Sequence, residues 1–437
     1  GGVLFSQPAI DLVELGAMAG QKGHFGKRHS RVKGLPEFAG EYPASTMADE
    51  MLTPGEGQIR AFVTVAGNPV LSSPNGRRLE ETLGGLDFMV SVDYYLNETT
   101  RHADIILPPT AALERSHYDL IFSMFAVRNF AKYSEALFDA GPGARHDWQI
   151  LLELAHRLEK LRKGGQLALR AELGWRAFKQ IGPDPILDLL LRSGPYGADA
   201  GRARGLLQPA VDLVMDILPK RHPLRGLAKL SPLNRHWQEL PKGLSLSALK
   251  DNPNGVDLGP LQPSLPERLF TRDGKINLAP RRYLDDLGRL HEALAAPAGD
   301  SLQLIGRRHV RSNNSWMHNS QRLVKGKDRC TLMIHPKDAS RLGLQAADSA
   351  EISSESRQIV LPVEITEDVM PGVVSIPHGW GHDRDGTGQS VAAAHAGASI
   401  NDLLSDGRID PLSGTSVLNG QPVAVKVWRP ERQRKRA

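Results

Sequence analysis

Residues 301–428 read as six short strands divided by turn residues, with one helix among them. The strand runs are 302–305, 331–334, 350–353, 359–366, 373–376 and 423–428. In the fourth, Ile359, Leu361, Val363 and Ile365 alternate with Val360, Pro362, Glu364 and Thr366. In the last, Val423, Val425 and Val427 alternate with Ala424, Lys426 and Trp428. A period of two sends neighbouring side chains to opposite faces, so each such run has one face to bury. The helix, 336–342, stops at Gly343. Six half-buried strands with so little helix to cover them predict a small closed barrel.

Residues 61–108 follow a different rule. A β-branched run at 61–66 ends in Gly67-Asn68-Pro69, a helix is predicted at 76–83 with Asn75 as its cap, and strands follow at 88–92 and 105–107. Strands and helices in alternation predict a parallel sheet, and such sheets bind ligands at the carboxyl ends of their strands. Gly67, Asn68, Pro69, Asp93 and the 98–104 loop fall there. Residues 145–163 place Trp148, Leu151, Leu152, Ala155, Leu158 and Leu161 at helical spacing. The Pro- and Gly-rich stretch 164–297, with helical pieces at 184–192 and 209–218, reads as a wrapping and linking segment.

Composition narrows the function classes. Lys and Arg exceed Asp and Glu by 54 to 49, and part of that surplus sits in the tail 429–436. A terminal basic run is ordinarily a solvated tail, so nucleic acid is not an expected partner. No apolar run is long enough to span a membrane. One cysteine, Cys330, allows no internal disulfide and no iron–sulfur cluster ligated by these residues alone. It reads as a small core residue. The Gly-x-Gly pairs at 55/57, 141/143, 379/381 and 386/388 lack the third glycine of a dinucleotide fingerprint, and no phosphate loop, zinc helix or serine elbow occurs. His378 and His382 stand four apart, but Gly379 and Gly381 break the helix that would pair them on a metal.

The chain opens on Gly1, has its first methionine at Met18, and shows no leader-like start. We read it as the C-terminal part of something longer, cytoplasmic unless an export signal lies upstream.

A set of motifs in order carries a family resemblance. Ala66-Gly67-Asn68-Pro69, Ser91-Val92-Asp93, Glu98-Thr99 and the run 103–108 are similar to the third domain of the molybdopterin oxidoreductases, the family of dimethyl sulfoxide reductase and formate dehydrogenase. The runs 304–308, 312–319, 335–339, 342–343, 369–374, 377–382, 401–402 and 410–414 resemble that family's dinucleotide-binding domain, and 257–261 and 274–276 fit one branch of it. The resemblance implies an α/β Rossmann-like domain with a parallel sheet, then a C-terminal double-psi β-barrel of the aspartate-decarboxylase-like type. It divides the chain into 1–163, 164–297 and 298–437.

The resemblance further implies two molybdopterin guanine dinucleotides holding one molybdenum or tungsten. Any iron–sulfur cluster would belong to missing N-terminal domains, which are the first expected partner; an electron-transfer subunit is the second. The cofactor-binding residues it implies are Gly67, Asn68, Pro69, Asp93, Arg307, Arg308, Asn313, Asn314, Ser315, Trp316, His318, His378, Trp380 and Asn401, with no catalytic residue and no metal ligand. Asp93, an acceptor-only carboxylate, suits the two-donor edge of guanine, or else it caps its own turn. Arg307 and Arg308 carry forks suited to phosphate. Trp316 and Trp380 suit a flat ring or a core, while His318 and His378 suit a donor role or a brace. Ala347 and Arg357 stand where the family often has glycine. The expected function is the cofactor-binding portion of a molybdenum or tungsten oxidoreductase working by two-electron or oxygen-atom chemistry, inactive alone. A structural subunit that retains the fold is the alternative.

Overall fold

A computed structural model describes residues 4–12, 24–165, 169–197, 243–266, 269, 271, 273–295, 299–346 and 348–430. The expected helix at 209–218, Ala347 and most of the basic tail lie outside the described residues.

Contacts gather the chain into two units, Gly1–Gly23 with Pro109–Pro280 and His24–Pro108 with Arg281–Ala437. The units therefore do not follow the sequence-order division at 163/164 and 297/298. In the first unit, short antiparallel pairs (His117–Tyr118 with Tyr133–Ser134, Asn129–Ala131 with Val256–Gly259) accompany the helices Asp147–Arg162, Leu169–Ile181, Asp184–Ser193 and Leu246–Lys250. Its core joins Ala9 and Ile10 to Ala131, Tyr133, Leu191, Tyr196, Leu244, Leu249 and Leu258. Leu191, Tyr196, Leu244, Leu249 and Leu258 of the 164–297 stretch thus build a core, while Arg281–Asp285 and Leu287–Ala295 bury no residue and belong to the second unit. The stripe expected on Asp147–Arg162 behaves differently as well. Ile150 is its buried residue, while Leu151, Leu158 and Leu161 are exposed.

The second unit holds a parallel sheet and a barrel. Ala61–Val65, Phe88–Val92 and Ile105–Ile106 lie side by side in that order, all parallel. One face packs on the helices Met47–Leu52 and Gly76–Leu83 through Ala48, Met51, Val70, Leu79, Leu83 and Met89. Val63, Val65, Phe88 and Ile105 remain exposed. Asn75 precedes the helix in left-handed geometry with no side-chain cap; its amide donates instead to Asp406.

The barrel closes as expected. Its strands run, around the ring, Leu302–Arg307, Val373–Pro377, Leu332–Ile334, Gln358–Ile365, Ser349–Ser353 and Gln421–Val427. Pairing is mixed: Leu302–Arg307 with Val373–Pro377 and Leu332–Ile334 with Gln358–Ile365 are parallel, and the others antiparallel. Leu361, Val363, Val423 and Val425 point inward, joining Leu304, Leu332, Ile334, Ile352, Val374 and Ile376 in one core, as the alternation required. Cys330 lies in that core, its thiol pushed up to about 12 by burial. The helix Pro336–Leu342 ends where Gly343 turns left-handed.

Sheet and barrel are tied together by charge. The Arg384 guanidinium, 1% exposed, meets Glu80 beside the sheet and Asp383 and Asp402 beside the barrel. Arg77 adds bonds to Asp383 and Asp402, and Arg101 pairs with Glu80.

Candidate functional site

Three loops of the second unit converge: 93–100 after the middle sheet strand, 308–319 after the first barrel strand, and 378–382 after Val373–Pro377. Their approach is close enough to dictate composition. A Cβ on Gly379 would lie 2.0 Å from the Asn314 carbonyl oxygen, and one on Gly381 would lie 2.7 Å from the Ser399 Cβ. Both glycines have positive φ, +91° and +115°. The glycines that break the 378–382 segment as a helix are thus what lets it pack, Gly379 against Asn314 and Ser315 and Gly381 against Ser399.

Through these loops runs a buried line of polar side chains. Asn68 Nδ2 donates to Glu98 Oε2 at 2.8 Å, and the Thr99 hydroxyl donates to Asn68 Oδ1. Glu98 Oε1 meets His382 Nδ1 at 2.7 Å, His382 Nε2 meets His318 Nδ1 at 2.9 Å, and His318 Nε2 meets Ser312 Oγ at 2.9 Å. Glu98, His318 and His382 are no more than 2% exposed. Burial, the largest single influence, works to raise the Glu98 carboxyl, yet the His382 hydrogen bond and charge together with the Asn68 hydrogen bond outweigh it and hold the group below its usual range. Burial, with His382 beside it, pushes His318 down to about 3. The His318 ring stacks on Trp380 at 4.0 Å between centroids.

The expected site residues divide. Asn68, His318 and Trp380 belong to this cluster, and Trp316 lies edge-on to Tyr94 and Tyr95 beside it. His378 is half-buried and pushed down to about 4 by burial and by Arg308. Arg308 pairs with Asn314; both are exposed, as is Asn313, and the two asparagines carry positive φ. Ser315 is buried at the foot of this loop. Pro69 starts a one-turn helix. At Gly67 a Cβ would meet nothing nearer than 3.8 Å, so close approach does not demand glycine there; the positive φ falls on Ala66.

Three residues are engaged within the protein. Asp93 accepts from the Tyr94 and Tyr95 N–H groups and from Asn97, while burial raises its carboxyl. Arg307 donates to the carbonyls of Ser375, Arg329 and Thr331 inside the barrel. Asn401 donates to the Leu71 carbonyl. Glu98 and His382 are the members of the line absent from the expected set, while Ser312 stands with Asn313, Asn314 and Ser315 in the run of neutral donors and acceptors that the sequence offers. Each sits inside a motif, but only the pairing of separate loops shows that they touch.

Two buried polar atoms of the cluster, the Trp380 indole N–H and the Ser399 hydroxyl, have no partner among the described residues. Buried polar groups are nearly always hydrogen-bonded, so such atoms point to a ligand. With exposed Arg308, Asn313 and Asn314 beside them, the donor set fits a polar heteroaromatic group carrying phosphates. Among the described residues, no three His, Cys, Asp or Glu side chains gather as metal ligands.

Comparison with known proteins agrees with the motifs. Residues 14–157 match the sequence model of the family described as "Molybdopterin oxidoreductase", and residues 302–422 match "Molydopterin dinucleotide binding domain". Dimethyl sulfoxide/trimethylamine N-oxide reductase of Rhodobacter capsulatus is 27% identical over 332 residues, covering 73% of this chain and 35% of that protein. The F420-dependent formate dehydrogenase subunit alpha of Methanocaldococcus jannaschii is 24% identical over 331 residues, covering 75% of this chain and 40% of its own. Acetylene hydratase from Pelobacter acetylenicus shares the fold with a TM-score of 0.55 at 16% identity, covering 87% of this chain and 46% of that one. The chain thus spans about two fifths or less of the curated relatives' length.

Proposed function

Because this chain belongs to the molybdopterin oxidoreductases, we propose that its second unit holds the pterin dinucleotide cofactor of a molybdenum or tungsten oxidoreductase at the 93–100, 308–319 and 378–382 loops. The Trp380 N–H and Ser399 hydroxyl, buried and without a partner among the described residues, carry this reading. When bound, the cofactor supplies two-electron or oxygen-atom chemistry, and the protein supplies orientation and electrostatics. Arg308 offers the charged fork to a phosphate, Asn313 and Asn314 offer neutral donors and acceptors, and Trp380 offers an indole N–H. Asp93 and Arg307 act behind them, by holding the 93–97 turn and the barrel strand ends. A second dinucleotide, an iron–sulfur cluster and an electron-transfer subunit belong to the same reading of the whole enzyme. So do the double-psi path of the barrel and the Rossmann-like character of the sheet.

The test uses the 437-residue chain with guanosine diphosphate and with the extracted pterin dinucleotide as probes. Losing a charged hydrogen bond costs about 1.5–3 kcal/mol, so Arg308→Ala should weaken binding roughly 10- to 150-fold. A chain that binds neither probe, or binds both with Arg308→Ala at parental affinity, refutes this placement.

A further inference from the structure

The line Glu98–His382–His318–Ser312 has a property that bracing does not require: the His382–His318 and His318–Ser312 links can both reverse while the Glu98–His382 link holds its direction. With Glu98 as carboxylate, His382 Nδ1–H donates to it, His318 Nδ1–H donates to His382 Nε2, and the Ser312 hydroxyl donates to His318 Nε2. We propose that these four side chains form a proton relay that stores one proton on His382 and releases it at Ser312, toward the loop proposed to hold the cofactor. The inference rests on that reading for what the proton serves, not for its existence.

The step balances. A proton arriving at Ser312 Oγ displaces the hydroxyl proton onto His318 Nε2, and the His318 Nδ1 proton passes to His382 Nε2. His382 is then doubly protonated against the Glu98 carboxylate, His318 remains neutral with its proton on the other nitrogen, and one proton has been taken up. Release runs the same moves backward. Both Glu98 oxygens are bonded, one to His382 and one to Asn68, so the carboxylate is held in place for either state. His318 is held flat by Trp380, and the edge-to-face approach of the two imidazoles, 5.2 Å and 89°, keeps their nitrogens aligned.

Other charges near the relay are accounted for. His378 lies near His318 and faces Arg308. Arg384, two residues beyond His382, is committed to Glu80, Asp383 and Asp402. Asp93 is engaged by its own turn. Glu98 is therefore the carboxylate in contact with the relay.

The experiment is histidine nitrogen NMR on the full chain, labelled with 15N-histidine and free of added cofactor. His318→Gln and His382→Gln assign the signals, and pH runs from about 8 to about 5, across the ordinary histidine range. As His382 gains its second proton, His318 should move its single proton from Nδ1 to Nε2 in the same step and stay neutral. Glu98→Gln should shift the step down by about one pH unit or more. Ser312→Ala, which removes the hydroxyl bonded to His318 Nε2 in both states, should shift the pH of this coupled step. A His318 that keeps one tautomer while His382 charges, a His382 that never charges in this range, or a step unmoved in either variant overturns the relay. Should Glu98→Gln fail to fold, the parental titration and Ser312→Ala decide. Bare chain with coupled histidines but no affinity for pterin or guanine nucleotide sinks the cofactor reading alone; uncoupled histidines in a chain that binds the cofactor sink the relay alone.

Discussion

Arg384→Met removes the charge that joins sheet to barrel while keeping a long apolar stem. The Arg384 guanidinium is 1% exposed, and its loss leaves two buried carboxylates, Glu80 and Asp402, short of a partner. Breaking a buried ion pair from one side costs about 3–5 kcal/mol. Here each carboxylate keeps a second cation, Arg101 at Glu80 and Arg77 at Asp402, so the lower end, about 3 kcal/mol, is expected. For a unit of this size that corresponds to a fall in Tm of roughly 6–12 °C. The assay is thermal unfolding followed by far-ultraviolet circular dichroism at neutral pH, with Arg408→Ala as the control. Arg408 pairs with Glu355 on the surface, where such pairs contribute about 0–1 kcal/mol. If Arg384→Met melts within about 0.5 kcal/mol of the control, the network is not what holds the two parts together, and the apolar contacts between them must suffice.

Further outcomes follow from individual sites. Gly379→Ala should lower stability by more than about 2 kcal/mol, since its φ of +91° is strained for alanine and its Cβ would strike the Asn314 carbonyl; Gly141→Ala, with nothing within 4 Å, should be nearly silent in the same urea titration. His318 and His378 are held neutral to about 3 and about 4, whereas unfolded histidine takes up protons below about 6.5. The unfolded chain therefore binds more protons in this window, and stability should fall as pH drops from 6.5, by about 1.4 kcal/mol per pH unit for each ring at most; His318→Gln should flatten the slope measured by urea unfolding. Glu98 carries the same sign lower down. Its contribution is present above the ordinary 4.5 and is lost as pH falls through its depressed value, so Glu98→Gln should be most damaging near neutral pH and least in acid.

The barrel strands and the parallel sheet were legible because their signals are local. Period two in Gln358–Ile365 and Gln421–Val427 put Leu361, Val363, Val423 and Val425 inside before any partner was known. Turn chemistry at Gly343 and at Gly67-Asn68-Pro69 set where elements stop. The motifs named a family and gathered Asn68, His318 and Trp380 in one set. What they left open is the direction in which a side chain faces. Arg307 and Asp93 have the chemistry to bind a ligand, yet tertiary structure gives their hydrogen bonds to Ser375, Arg329, Thr331, Tyr94 and Tyr95. Leu151, Leu158 and Leu161 repeat like a core face and stand exposed, because periodicity says which residues share a side and not what covers it. The line from Glu98 to Ser312 joins positions 284, 64 and 6 residues apart. Contacts of that separation are set by how the barrel closes and where its loops return, so tertiary structure alone decided which carboxylate would face which imidazole.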